Sequence, residues 1–373
     1  MFSKFLPLFF LCLIHFTFSA TTTTANVEYT TDMGRRTGIV TQRSPPVYEI
    51  NLDLSYKERW RQIAADYEDA IVAFIDGLGL KINTLLKILD SFDYYMIQNY
   101  NKEFALEVRA LSELMSLSFT EVTALNFIYE MTSQCTSIVA QDSNGNIIHA
   151  RNLDFYFADL LGNLVFHGKY YRKGQLVYEA ITLAGYTGLL TGIKANAYSF
   201  SLNQYTLNNL PQTWDYFGVS ASDLLEIIRG RMSPTYVVRQ GFETIPDYEG
   251  FVKFLKETKT ISNVFYIVAG TKENEGTIIT KFRENVENVT SLDVQKGRWY
   301  VLITNYNSRL SDPARDNRAT AAREWMDKIG QTAINKDNIL EQVMKKYPVF
   351  NNLTFHTSVM QPQTNYFNTM LWW

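Results

Sequence analysis

Cysteine is nearly absent from this chain. Two occur in 373 residues, and only Cys135 lies beyond the first twenty positions. Histidine is scarce too, at four residues. There is no HExxH and no CxxC, so the usual zinc-ligand spacings are missing. After the first segment no stretch reaches the ~18 uninterrupted apolar residues of a membrane helix. Neither sign of charge dominates: the formal net charge is −3, which leaves no electrostatic footprint for nucleic acid. The glycines at Gly185, Gly188 and Gly192 lack a strand–GxGxxG–helix context, so they do not mark a nucleotide site. No internal repeat is present.

Residues 1–19 have the pattern of a targeting segment. Lys4 is a short positive region, Phe5 to Phe16 is apolar, and Thr17-x-Ser19 is a small-residue cleavage pattern. The alternative is an anchor, but the run is short and Thr-rich polar sequence follows it. Cleavage removes Cys12 and leaves one cysteine in a compartment where disulfides form readily. A lone thiol there is either paired between molecules or reactive. Asn288-Val289-Thr290 and Asn352-Leu353-Thr354 are glycosylation sequons that suit this route.

Residues 20–44 lack periodicity and are expected to be a flexible leader. Val47 to Leu54 alternates like a strand. Ser55-x-x-Glu58 is a capping box. Trp60, Ile63, Ala64, Tyr67, Ile71, Phe74 and Leu78 then form an apolar helical stripe. Helical patterns continue over Leu80 to Leu89 and Phe104 to Tyr129. After Cys135 strands prevail: Leu176 to Ala184, Ser199 to Leu202, a hairpin from Val264 to Thr280, and Arg298 to Thr304. Helices are expected over Ser220 to Arg231 and Asp247 to Thr258. Another should run from Asp312-Pro313 to Ile329, placing Arg318 in its second turn. A last helix, Asn338 to Lys346, precedes a strand from Asn352 to Met360. The pattern is α+β: helices over 45–134, a mixed layered structure over 135–373.

Cys135 opens the segment that carries the chemistry. Asn144-Gly145 between apolar runs is a strong hairpin signal, because a two-residue type I′ turn needs positive φ at both positions. That loop sets Cys135 opposite Asp154, with Cβ atoms about 5 Å apart. Arg151 would then face the other way unless the strand bulges or ends between them. A cysteine nucleophile needs a base. His149 falls several residues away in this register, leaving His167 or His356 for a Cys–His dyad. The other solution is cleavage before Cys135, which frees an α-amine of reference pKa about 7.7–8.0 as the base. Arg151 would favour negative charge on sulfur, and Asp154 would hold the ammonium. A buried, inert thiol beside an ordinary Arg–Asp pair is the remaining alternative.

The segment Cys135 to Phe155 resembles the nucleophile segment of the acid ceramidase and N-acylethanolamine-hydrolysing acid amidase family, within the N-terminal-nucleophile cysteine hydrolases. Pro45 to Leu54, Ala184 to Gly192, Gln295 to Tyr300 and Thr304-Asn305-Tyr306 are similar to family segments in the same order. The resemblance implies a four-layer αββα fold with an all-helical N-terminal subunit. It implies self-cleavage between Gln134 and Cys135, giving an α/β heterodimer in which Cys135 is nucleophile and new N-terminus. Arg151 and Asp154 would bind the α-amine and thiol region, Asn305 would donate to the oxyanion, and Arg318 would support the site. No metal or organic cofactor is implied.

Several positions depart from the family pattern. Gln204 stands where the family commonly has Glu, Arg318 is followed by Ala319 rather than a second arginine, and Asn307 replaces an Asp. The extra cysteines of acid ceramidases are missing. The implied activity is hydrolysis of fatty-acyl amides, ceramide or N-acylethanolamine, in the lysosome or outside the cell. A lipid amide at a membrane or vesicle surface would be the substrate, and a saposin-like activator an accessory partner. Leu85 to Ile97 is a concentrated apolar stretch that suits membrane docking or core packing. A silent lipid-binding protein of this fold, or an acylase for another amide, are the competing readings.

Overall fold

The structure, a computed structural model, describes residues 41–77, 101–126, 133–155, 158–206, 226, 231–306 and 316–372. Two sheets face each other. One has six strands in the order β1-β14-β13-β4-β3-β12 and the other eight, β11-β10-β9-β8-β7-β6-β5-β2. In chain order the strands are β1 Gln42–Arg43, β2 Val47–Asn51, β3 Ser133–Gln141, β4 Ile147–Phe155, β5 Val165–Arg172, β6 Gln175–Leu183, β7 Thr191–Lys194 and β8 Tyr198–Gln204. There follow β9 Val264–Ala269, β10 Gly276–Lys281, β11 Val286–Ser291, β12 Tyr300–Ile303, β13 Thr354–Gln361 and β14 Tyr366–Trp372.

Helices cover both outer faces. α1 (Tyr56–Gly77), α2 (Lys102–Leu114) and α3 (Phe119–Asn126) precede Cys135. α4 (Ala158–Gly162) is a single turn. α5 (Pro234–Thr244) and α6 (Tyr248–Glu257) follow the eight-stranded sheet's central strands. α7 (Arg318–Ile329) and the short α8 (Lys336–Ile339) lie late in the chain. The first core joins Trp60, Ile71, Phe104 and Val122 with Phe166, Tyr178, Phe200, Phe242 and Phe251. A second packs Ala322, Met326 and Val343 on Ile138, Ile148 and Val359 of the six-stranded sheet. A third, between the sheets, joins Val139, Phe265, Ile267, Val301 and Ile303. The layers are helix, sheet, sheet, helix, the αββα arrangement that the family pattern implies.

Local chemistry explains the elements. Ser55 Oγ accepts the N–H of Glu58 at 3.3 Å and donates to its carboxylate at 2.9 Å, which starts α1. The long helical pattern beyond Phe104 is broken, because Ser116 takes a positive φ of 53°. Ser118 and Glu121 then form a reciprocal capping box that starts α3. The N-terminal part is not all-helical and the leader's end is not loose: β1, at the end of residues 20–44, pairs with β14, and β2 runs parallel to β5, because both sheets have an edge strand whose backbone groups need a partner.

Other expectations need correction. α7 begins at Arg318, so this residue stands at the first helical position rather than in a second turn. The Asp316 carboxylate holds its N–H and its guanidinium, fixing the start there. Only the first turn of the expected last helix is α-helical; a wider turn, Leu340–Met344, follows. Residues 1–19, most of the leader, Leu80 to Leu89, the apolar stretch Leu85 to Ile97, most of Ser220 to Arg231, and Asp312-Pro313 lie outside the described residues.

Candidate active site

The β3–β4 turn is one residue longer than the sequence suggested. Asp142 Oδ1 accepts the N–H groups of Asn144 and Asn146, each at 2.8 Å, and Asp142 Oδ2 accepts from Asn146 Nδ2 at 2.8 Å. The Asp142 N–H closes on the Asn146 carbonyl, leaving a three-residue loop, Ser143-Asn144-Gly145, with Gly145 at φ 86°. The ladder therefore shifts by one: Cys135 pairs with Leu153, and Asp154 with Gln134. A shift of one exchanges the faces of a strand. The expectation that Cys135 faces Asp154 is overturned, as is the expected bulge between Arg151 and Asp154. Arg151, two residues from Leu153, shares the inner face with Cys135, while Asp154 points to the outer side.

The thiol is fully buried between the sheets. Arg151 Nη2 donates to Sγ at 3.2 Å and to the Leu202 carbonyl at 3.0 Å. Its Nη1 donates to the Leu190 carbonyl at 2.6 Å and to the Thr191 hydroxyl. The thiol itself lies 3.8 Å from the Leu202 carbonyl. A guanidinium fixed in this way stabilises negative charge developing on sulfur.

The backbone of Cys135 is held separately. Its N–H donates to Asn305 Oδ1 at 2.7 Å, and its carbonyl accepts from Arg318 Nη1 at 2.9 Å. Arg318 also donates to Asn305 Oδ1 at 3.0 Å, Asp154 Oδ2 at 3.1 Å, and both oxygens of Asp316 at 2.9 and 2.6 Å. Asn351 Nδ2 adds a bond to Asp154 Oδ2 at 3.1 Å. Burial opposes the Arg318 charge, but Asp316 and Asp154 outweigh it and raise its pKa. Burial raises the Asp154 pKa despite Arg318 and hydrogen bonds from Thr354 and Asn351.

The histidines are engaged elsewhere. His149 bonds Ser199 and Ser201 at 3.0 and 2.9 Å, His167 meets Glu179 at 2.9 Å, and His356 meets Ser358 at 3.4 Å. Burial, aided by Arg151, lowers His149 to about 3 and pulls His356 well down. Both are neutral groups in a closed interior.

Cys135, Arg151, Asp154, Asn305 and Arg318 thus converge from β3, β4, the end of β12 and the start of α7. Gln204 contributes its backbone, accepting Asn305 Nδ2 at 3.0 Å. Asn288 is half-buried on β11, while Asn352 is exposed in the turn before β13. Asp316, Asn351, Thr191 and the Leu190 and Leu202 carbonyls had not been read from the sequence. Asp316 is two residues from Arg318, a local pairing a sequence can show, whereas Asn351 meets Asp154 across 197 residues and leaves no local signal.

A sequence profile described as the beta subunit of N-acylethanolamine-hydrolyzing acid amidase matches residues 43–93. The chain is 31% identical to the N-acylethanolamine-hydrolyzing acid amidase of Rattus norvegicus, over 85% of this chain and 86% of that protein. It is 29% identical to the acid ceramidase of Homo sapiens, over 87% and 86%. A solved structure, the Caenorhabditis elegans N-acylethanolamine-hydrolyzing acid amidase (NAAA) ortholog, superposes with a TM-score of 0.55 at 31% identity, covering 64% of this chain and 99% of that one.

Proposed function

Because the chain belongs to the family of N-acylethanolamine-hydrolyzing acid amidase and acid ceramidase, we propose that Cys135 is the nucleophile of a self-processing fatty-acyl amide hydrolase. The protein is a hydrolase of amide C–N bonds. The observation that carries the finer reading is the double hold on Cys135: Arg151 at its sulfur, Asn305 and Arg318 at its backbone.

Maturation uses the same sulfur. Sγ attacks the Gln134 carbonyl carbon, the peptide nitrogen leaves as the Cys135 α-amine, and water releases Gln134 as a carboxylate. The products are a piece that carries β2 and helices α1 to α3, residues 45–134 behind the leader, and a catalytic piece, residues 135–373. In turnover the α-amine takes the thiol proton while sulfur attacks the substrate carbonyl. Asn305 Nδ2 donates to the oxyanion once it turns from the Gln204 carbonyl. The proton passes to the leaving amine, and water, with the α-amine as base, frees the fatty acid. Arg318, held by Asp154 and Asp316, keeps the Cys135 carbonyl fixed throughout.

The protein would enter the secretory route, carry glycans at Asn288 and Asn352, and act in the lysosome or outside the cell. It would meet its lipid amide peripherally at a membrane or vesicle, with a saposin-like activator as an accessory. The test is a panel of N-acylethanolamines and ceramides with matched acyl chains, followed by mass spectrometry of the catalytic piece. Release of fatty acid and an acyl adduct on Cys135 are expected. Release by an enzyme with Cys135 alkylated would contradict the reading.

A further inference from the structure

Beyond Ile303 the edge strand β12 leaves its ladder. Its pairing with β3 sets Ile303 opposite Ser137, so an unbroken ladder would bring the Asn305 backbone opposite Cys135. Instead the Asn305 side chain takes the Cys135 N–H at 2.7 Å. The Asn305 backbone turns to the segment that follows β8, where its carbonyl accepts the Thr206 N–H at 2.8 Å. The Thr304 carbonyl, buried just beyond the last ladder pair, then needs a donor inside the protein.

One side chain supplies it. Asn203 Nδ2 donates to the Ile303 carbonyl at 3.1 Å and the Thr304 carbonyl at 3.0 Å. Asn203 Oδ1 accepts from Ser137 Oγ at 2.8 Å. Ser137 is also bonded to Ser201, and Ser201 to His149. Asn203 is fully buried on β8, so it ties β8 of one sheet to β3 and β12 of the other. It also precedes Gln204, whose carbonyl holds Asn305 Nδ2. Both hydrogens and the oxygen of this amide are committed, and both hydrogens go to the two residues immediately before Asn305.

We infer that Asn203 is a positioning residue for the oxyanion site: it captures β12 as that strand leaves the sheet, and so presents the Asn305 side chain to Cys135. The inference rests on the function proposed above. Asn203 itself does not touch the reacting atoms. Displacing a catalytic group by about 1 Å can cost ~100-fold in rate.

The decisive comparison is between amide hydrolysis and alkylation of the same thiol. Iodoacetamide reacts with Cys135 without forming an oxyanion, so it reports on the thiol and its access but not on Asn305. Asn203→Leu keeps the volume and removes both donors. In the cleaved enzyme kcat for acyl amide should fall about 100-fold, KM should stay within about threefold, and alkylation should stay within about twofold. Ser137→Ala leaves both donors and frees only Oδ1; its kcat should fall about threefold to tenfold with the same unchanged alkylation. It serves if the leucine variant does not fold. Equal losses of turnover and alkylation, or unchanged kcat in the variant measured, would overturn the inference. A wild-type enzyme that cleaves no acyl amide would overturn the proposed function, and this inference with it.

Discussion

Arg318 Nη1 stands 2.9 Å from the carbonyl oxygen of Cys135 and 3.1 Å from Asp154 Oδ2. One guanidinium thus joins the Cys135 backbone to a carboxylate on the outer face of the same sheet. Its remaining donors reach Asp316 and Asn305. A planar, multi-pronged donor does this; an ammonium cannot match its geometry.

Arg318→Lys should therefore keep the positive charge but lose the arrangement. The expected result is a kcat about 100-fold lower, with slower self-cleavage and little change in KM. Steady-state kinetics alongside a processing time course checks it. A lysine variant within about threefold of wild type in kcat would mean that charge alone suffices.

Burial of His149 should steepen the acid limb of stability. His149 has its pKa lowered to about 3, so between there and its unfolded value near 6.5 the unfolded chain binds more protons than the folded one. Stability is then lost as pH falls through that window, by roughly 2–3 kcal/mol between pH 7 and 4.5 for this residue. Asp154 acts in the opposite sense. Its raised pKa makes the folded state the better proton binder above ~3.9, so its contribution declines as pH rises through the folded value. His149→Gln should flatten the acid limb in urea titrations at pH 7 and 4.5. An equally steep limb in the variant would show that the ring is charged in the fold.

Glu107 and Arg239 join the helices before Cys135 to the part after it. Arg239 Nη1 and Nη2 donate to the two Glu107 oxygens at 2.6 and 3.0 Å, and Trp60 Nε1 adds a bond at 2.7 Å. Both members are buried. Arg239→Ala leaves the buried Glu107 carboxylate with only the Trp60 N–H and the Arg59 guanidinium at 3.6 Å and should cost about 3 kcal/mol, whereas changing Glu107 to Ala as well should cost less than the sum of the single changes. Denaturant midpoints for the three variants test this; additive losses would show that the pair is not coupled.

Much of the site was legible locally, and its assembly was not. The α1 cap, the β9–β10 hairpin and the helix that starts at Asp247 follow from residues close together in the chain. The β3–β4 register did not, because Asn144-Gly145 suggests a two-residue loop while Asp142 binds two further N–H groups and lengthens it. That single residue moves Asp154 off the thiol's face and brings Arg151 onto it. The role of Arg318 came from family resemblance, since its partners Cys135 and Asp154 lie 183 and 164 residues away. Strand β7, only four residues long and next to the glycine-rich turn, carries too little periodicity to be recognised. Contacts between the sheets, such as Asn203 with Thr304, leave no trace in a local pattern.

On the function proposed above, the Cys135 sulfur both cuts the chain and turns over the substrate. Intact-mass measurement and N-terminal sequencing of purified wild type and Cys135→Ala, with fatty-acid release recorded on the same samples, test it most directly. The expected result is a wild-type fragment beginning at Cys135, and an alanine variant that stays joined after Gln134 and releases no fatty acid. An alanine variant cut normally at this bond, or a wild type fully active with the bond intact, would contradict it.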